Sequence, residues 1–227
     1  PRSDPTPYPA HHGATIGMTH ARPVAVFNPV FAQRVLLVNG LLPLVLCSWD
    51  GVTGGLGANP LEFILRLTGM LALVFLTLTL MVTPLVAWFG PAWLIKLRRT
   101  LGLFAFFYGG LHLFSYVWFD KVFDLVAVGV DVLRRPFILF GMLAFLVMLP
   151  LAATSTNGMI KRLGARRWKQ LHRLTYVAAV AGAVHFYLFV KADTTVPTAF
   201  AAVIGFLLVY RWMSAQSVTT LGLDAKR

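Results

Sequence analysis

The sequence predicts an all-α membrane protein, a six-transmembrane-helix bundle with both chain ends on the cytoplasmic side. Three observations carry this. Of 227 residues, 58% are hydrophobic and only 12% charged, against about a quarter charged in soluble domains. Six apolar runs follow one another, and a membrane span needs about 20 such residues. Lysine and arginine gather in alternate connections between the runs.

Taken in order, residues 1–30 are polar and rich in proline and histidine. They read as a flexible cytoplasmic arm without the apolar segment of a signal peptide. The transmembrane domain is expected over 31–215. Its runs are Gln33–Trp49, interrupted by Pro43, then Phe63–Phe89 with Pro84 near its end, Leu101–Phe119, Phe137–Ala153, Leu171–Val190 and Pro197–Met213. Pro136 and Pro197 fit first helical turns. The linkers 50–61 and 154–166 carry Gly, Asn, Ser and Thr, as loops do. Residues 216–227 read as a short cytoplasmic tail. Within Asp120–Val132, apolar residues at Val122, Phe123, Val126 and Val130 recur at helical spacing, continuing to Leu133, which predicts a short amphipathic helix at the interface.

Orientation follows from the basic residues. With six spans and both ends inside, 15 of the 20 Lys and Arg fall on the inner side, and six of the eight acids fall on the outer side. Arg134 and Arg135 are the outer exceptions and are expected to meet an anionic partner or lipid head groups. The net charge of +12 is therefore a topology signal facing anionic lipid, and the chain has no soluble basic domain to hold nucleic acid.

Other chemistries are excluded by what the sequence lacks. One cysteine, Cys47, builds no disulfide, Cys-based zinc site or four-Cys iron–sulfur site. No C-x-x-C-H motif attaches a haem covalently. No Asp, Glu or Lys lies mid-span to relay protons, and there is no nucleotide-binding glycine motif or room for a soluble flavin domain.

Against that apolar background stand His112, His172 and His185. An imidazole in hydrocarbon needs a partner, because an unpaired polar group there costs several kcal/mol. Two such histidines on neighbouring helices are what a membrane haem requires as axial ligands. His112 follows Arg99 by 13 residues and His185 follows Arg167 by 18, about 20 Å and 27 Å along a helix. His172 lies near the inner surface. Depth therefore pairs His112 with His185. His172 and His185, on one helix, differ by about 140° of rotation and would not share a face. His172 reads either as a ligand of a second haem or as an interfacial residue. Gly102, Gly109, Gly110 and Gly182, with the alanines from Ala178, read as helix packing or as a slot for a planar macrocycle. Tyr108, Tyr116, Tyr176 and Tyr187 are candidates for its edges or for an aromatic belt. Competing readings are a small histidine-lined transporter and a structural membrane anchor.

Four stretches carry a family resemblance. Leu97–Tyr116, with Gly109-Gly110-Leu111-His112, resembles the third helix of the MsrQ (YedZ) haem subunits of bacterial methionine sulfoxide reductase systems. Arg135–Gly141 resembles the start of their fourth helix. Leu151–Gly158, and Trp168–Tyr176 followed by His185, resemble the region from the fourth helix to the fifth. The resemblance covers roughly residues 33–213. It implies a ferric-reductase-like transmembrane domain and b-type haem on His112, His172 and His185. It implies electron transfer across the bacterial inner membrane from quinol or a cytoplasmic flavin reductase to MsrP, a periplasmic molybdopterin partner. It also associates FMN with the chain. The larger oxidases of this kind carry two histidines on each ligand helix, whereas this chain has one on its third run. The expected role is an electron-transfer subunit of an oxidoreductase system rather than a complete enzyme. Arg98, Arg99, Arg166, Arg167, Lys169 and Arg173 are then candidates for propionate, lipid or anionic-cofactor contact, or serve only as topology determinants. Asp120–Arg135, the largest outer segment, is the expected docking surface.

Overall fold

A computed structural model describes residues 28–224, and these are helical almost throughout. The expected arm, 1–30, lies mostly outside the described residues. Helix α1 spans Pro29–Thr53 and begins where the Asn28 side chain accepts from the Val30 N–H at 2.9 Å. It ends at Gly54, whose φ of 79° provides the left-handed turn that favours glycine. Helix α2, Pro60–Phe89, opens on the Asn59 cap and closes on Gly90. Helix α3 runs Leu94–Ser115 and continues as one π turn, Tyr116–Asp120. A short helix α4, Leu125–Arg134, is capped by Asp124. Then come α5, Pro136–Ala153, α6, Asn157–Leu163, α7, Ala165–Leu171, α8, Leu174–Phe189, and α9, Thr195–Asp224.

Five of these, α1, α2, α3 with its π turn, α5 and α9, are long and apolar enough to cross a membrane. The sixth expected span, α8, has 16 residues, about 24 Å of helix. It is nonetheless central, with Ala178 and Ala179 completely buried. Many large apolar side chains face outward, among them Val38 at 68% and Val45 at 60% exposure. In a bundle whose solvent is hydrocarbon, such exposure carries no penalty.

The linker 154–166, expected as a loop, is largely helical. The Thr156 hydroxyl caps α6 by accepting from the Met159 N–H, so one serine/threonine side chain starts a helix where composition reads as a turn. The Leu171–Val190 run is also corrected. The chain turns at His172 and Arg173, and α8 begins only at Leu174. A short helix does form in the segment expected to hold one, but only over Leu125–Arg134; Val122 and Phe123 lie in the turn before it at positive φ.

Two hairpins form the centre. Helices α2 and α3 pack along each other, as do α5 and α8, and the pairs meet where α3 touches α5 and α2 touches α8. Phe75, Phe104 and Tyr108 stack across the first hairpin, with ring centroids 5.0 Å apart for Phe75–Phe104 and 5.7 Å for Phe75–Tyr108. Gly40 of α1 lies against the Phe104 ring, in space that a Cβ would fill. Polar atoms are satisfied inside the bundle, as hydrocarbon requires. The hydroxyls of Thr68, Thr77 and Thr79 donate to carbonyls one turn back at 2.7–2.8 Å. Pro84 lacks an N–H, so the Leu80 carbonyl loses its helical donor. Arg211 of α9 replaces it, donating through Nη2 to Leu80 O at 2.6 Å and to Thr83 Oγ1 at 2.9 Å, and through Nη1 to the Tyr176 hydroxyl at 3.0 Å.

All ion pairs among the described residues occur on acids of the expected outer side: Glu62–Arg66, Asp120–Lys121, Asp131–Lys121 and Asp131–Arg135. Arg135 thus has a partner within its own chain, where sequence reasoning expected an anionic partner or lipid.

Candidate metal centre

The structure brings His112 of α3 and His185 of α8 together, edge to face. Their ring centroids are 6.0 Å apart and their planes cross at 81°. Each ring is anchored by the preceding helix of its own hairpin. His112 Nδ1 lies 2.9 Å from the carbonyl of Leu65 on α2. His185 Nδ1 lies 2.6 Å from the carbonyl of Phe137 on α5. A carbonyl only accepts, so each Nδ1 carries the proton and each Nε2 keeps its lone pair. Among the described residues, neither Nε2 has a hydrogen-bond partner.

The two anchors are built alike, 47 and 48 residues before their histidines. One helical turn beyond each carbonyl stands a glycine, Gly69 after Leu65 and Gly141 after Phe137. A Cβ on Gly69 would lie 3.0 Å from His112 Nδ1, and one on Gly141 would lie 2.7 Å from His185 Nδ1. In a helix the residue at i+4 donates to the carbonyl at i, so its side chain stands beside that oxygen. A bare α-carbon there opens the oxygen's second lone pair to an imidazole. The Phe137 and Phe189 rings, 5.8 Å from each other, lie on one side of His185 at 6.2 Å and 6.5 Å.

The 6.0 Å between ring centres matches what a metal shared by two imidazoles requires. Two metal–imidazole bonds of about 2 Å, plus about 1 Å from each nitrogen to its ring centre, span about 6 Å. No cluster of three or more His, Cys, Asp or Glu side chains occurs among the described residues. A metal held here therefore has two protein ligands and must bring its remaining ligands with it, as an iron in a macrocycle does.

His172 is elsewhere. It caps α7, stacks on Trp168 at 3.8 Å between centroids, and points Nδ1 at the Trp168 carbonyl at 3.1 Å. Ser155 Oγ lies 3.4 Å from its Nε2. The rotation argument against His172 therefore does not apply, since it is not on α8. What separates it from the pair is distance, with His185 eleven residues into α8 from Leu174, about 16 Å. Arg99, Arg167 and Arg173 are exposed around the same end. Arg99 donates to Asn157 Oδ1 at 2.9 Å and lies about 20 Å along α3 from His112. None of the three is brought to the paired histidines.

The glycines singled out from sequence serve packing. A Cβ on Gly109 would meet Met148 and one on Gly182 would meet Leu73. Three of the four tyrosines are engaged by the bundle. Tyr108 donates to Gly40 O at 2.6 Å, Tyr116 to Asp131 Oδ2 at 2.7 Å, and Tyr176 accepts from Arg211. Sequence reasoning missed Gly69 and the carbonyls of Leu65 and Phe137. Their signal was the pair of glycines, each set at a nearly equal distance before a histidine.

Comparison with known proteins bears on this geometry. Residues 68–183 match the model of the family described as ferric reductase like transmembrane component. That match holds Gly69, His112, Gly141 and His172 and stops two residues before His185. The chain is 48% identical over 181 residues to the protein-methionine-sulfoxide reductase heme-binding subunit MsrQ of Herminiimonas arsenicoxydans, covering 79% of this chain and 83% of that one. It is 47% identical over 175 residues to the subunit of the same name from Rhodospirillum rubrum, covering 77% and 84%. It is 46% identical over 162 residues to that of Deinococcus radiodurans, covering 71% and 80%.

Proposed function

Because this chain belongs to the ferric-reductase-like transmembrane family, and within it to the MsrQ haem-binding subunits of protein-methionine-sulfoxide reductase, we propose that His112 and His185 are the axial ligands through which it binds a b-type haem and passes electrons across the bacterial inner membrane. The observation that carries the reading is the 6.0 Å opposition of the two rings with both Nδ1 atoms already committed to carbonyls.

A bound haem supplies a one-electron couple whose ligands need not rearrange. The chain's own residues do the rest. His112 and His185 would each offer the Nε2 lone pair to the iron. The Leu65 and Phe137 carbonyls hold each ring's tautomer and orientation. The apolar helices exclude water and so favour electron transfer over proton chemistry. Electrons enter from quinol or a cytoplasmic flavin reductase at the basic end, whose Lys and Arg suit a donor carrying anionic groups such as FMN. They leave to periplasmic MsrP at the acidic end. There α4 and the preceding turn expose Val122, Leu125, Val126 and Leu133 at 69–85%, which supports Asp120–Arg135 as the docking segment.

The test is an absorption spectrum of the purified protein with haem quantified per chain. A reducible Soret band with sharp α and β bands is expected. A colourless, fully folded preparation made with haem available overturns the proposal.

A further inference from the structure

We propose that Gly69 and Gly141 are positioning residues that set the electronic character of the two axial imidazoles by admitting each ring to the carbonyl one helical turn before them. This rests on the assignment of His112 and His185 as haem ligands and adds a determinant of how they act.

Each helical carbonyl already accepts from its i+4 N–H. A second donor must reach the same oxygen past the i+4 side chain. At Gly141 even one methyl would sit 2.7 Å from His185 Nδ1 and 2.9 Å from Cε1. At Gly69 the distances to His112 Nδ1 and Cε1 are 3.0 Å and 3.1 Å. Nonbonded carbons settle at about 3.5–4.0 Å, so either ring must retreat. The closer approach is at His185, so this ring must move the further of the two. Its Nδ1 bond, the shorter of the two, lengthens or breaks. An imidazole that donates through Nδ1 is the more basic ligand at Nε2. It stabilises ferric over ferrous iron. Withdrawing the bond therefore raises the midpoint potential, and Gly141 controls this more tightly than Gly69.

The experiment compares Gly141→Ala, Gly69→Ala and Gly205→Ala with the parent protein, all loaded with haem. Gly205 is the control, since a Cβ there meets nothing within 4 Å. Midpoint potential and the ferric EPR spectrum are read for each. Gly141→Ala is expected to favour the reduced form by about tenfold, about 59 mV for one electron, or to turn the iron high-spin through ligand loss. Gly69→Ala shifts in the same direction by less, and Gly205→Ala does not shift. If both Gly141→Ala and Gly69→Ala keep the parent potential and spectrum, the positioning role is wrong even though the ligand assignment stands. If His112→Ala and His185→Ala retain the parent low-spin spectrum, the ligand assignment is what fails. Should the alanine variants not fold, pulsed EPR of the parent decides through the histidine Nδ1 quadrupole coupling. A value for Nδ1–H without an acceptor overturns the proposal, and a strongly hydrogen-bonded value upholds it.

Discussion

The imidazole of His112 stands almost at right angles to that of His185, 81° between planes, with 6.0 Å between ring centres. The crossing follows from the anchors, because each ring is turned toward a carbonyl on a different helix. Axial imidazoles held perpendicular leave the two iron d orbitals that interact with them nearly degenerate. The ferric protein should therefore give a low-spin EPR signal of large principal g and high anisotropy. A rhombic signal of the kind given by parallel imidazoles would mean that the rings turn when iron binds.

Removing either member of the pair should remove the low-spin species, whereas removing the third histidine should not. His112→Ala and His185→Ala are each expected to lose the sharp α and β bands. His172→Ala should retain at least part of the low-spin spectrum, since its ring is stacked on Trp168 and bonded within its own corner. Absorption spectra of the three variants check this. A His172→Ala protein without low-spin haem beside a normal His185→Ala protein would reverse the assignment.

Arg211 is expected to matter because of a proline. Arg211→Met leaves Leu80 O without a donor, since Pro84 offers no N–H. A buried unsatisfied carbonyl costs about 1–3 kcal/mol. Adding Pro84→Ala restores the helical donor, so the penalty of Arg211→Met should shrink in that background. Thermal unfolding of the four proteins in detergent measures the coupling. Equal penalties with and without Pro84 would remove this explanation.

The outer corner should be sensitive to acid through one carboxyl. Asp131 accepts from Lys121 at 2.7 Å, Tyr116 at 2.7 Å and Arg135 at 3.2 Å. The bonds from Lys121 and Tyr116 hold its carboxyl below the usual carboxylate range. A lowered folded pKa contributes stability that is present above the ordinary value, about 3.9, and is lost as pH falls through the folded one. Amide exchange of α4 should thus stay slow through mild acid and quicken only below that range. Asp131→Asn should quicken it at neutral pH and flatten the acid response. Unchanged exchange in Asp131→Asn would show that the clamp does not hold α4.

Composition and periodicity alone determined the class of this protein, the approximate course of its apolar helices and the identity of its three unusual histidines. Hydrocarbon imposes these on any chain, because length, charge and polar satisfaction are counted residue by residue. Depth along a helix was legible only in part: the count to His112 runs on unbroken α3, whereas the count to His185 crossed the turn at His172, although it named the two histidines that the structure brings together. Tertiary structure alone decided what happens across helices. It placed the Leu65 carbonyl and Gly69 against His112, the Phe137 carbonyl and Gly141 against His185, and the chain reversal at His172 that begins α8 late. A backbone carbonyl has no letter in a sequence, and a glycine reads the same whether it admits a helix, a methionine or an imidazole. Only the packing of α2 on α3 and of α5 on α8 gives the two glycines beside the histidines their meaning.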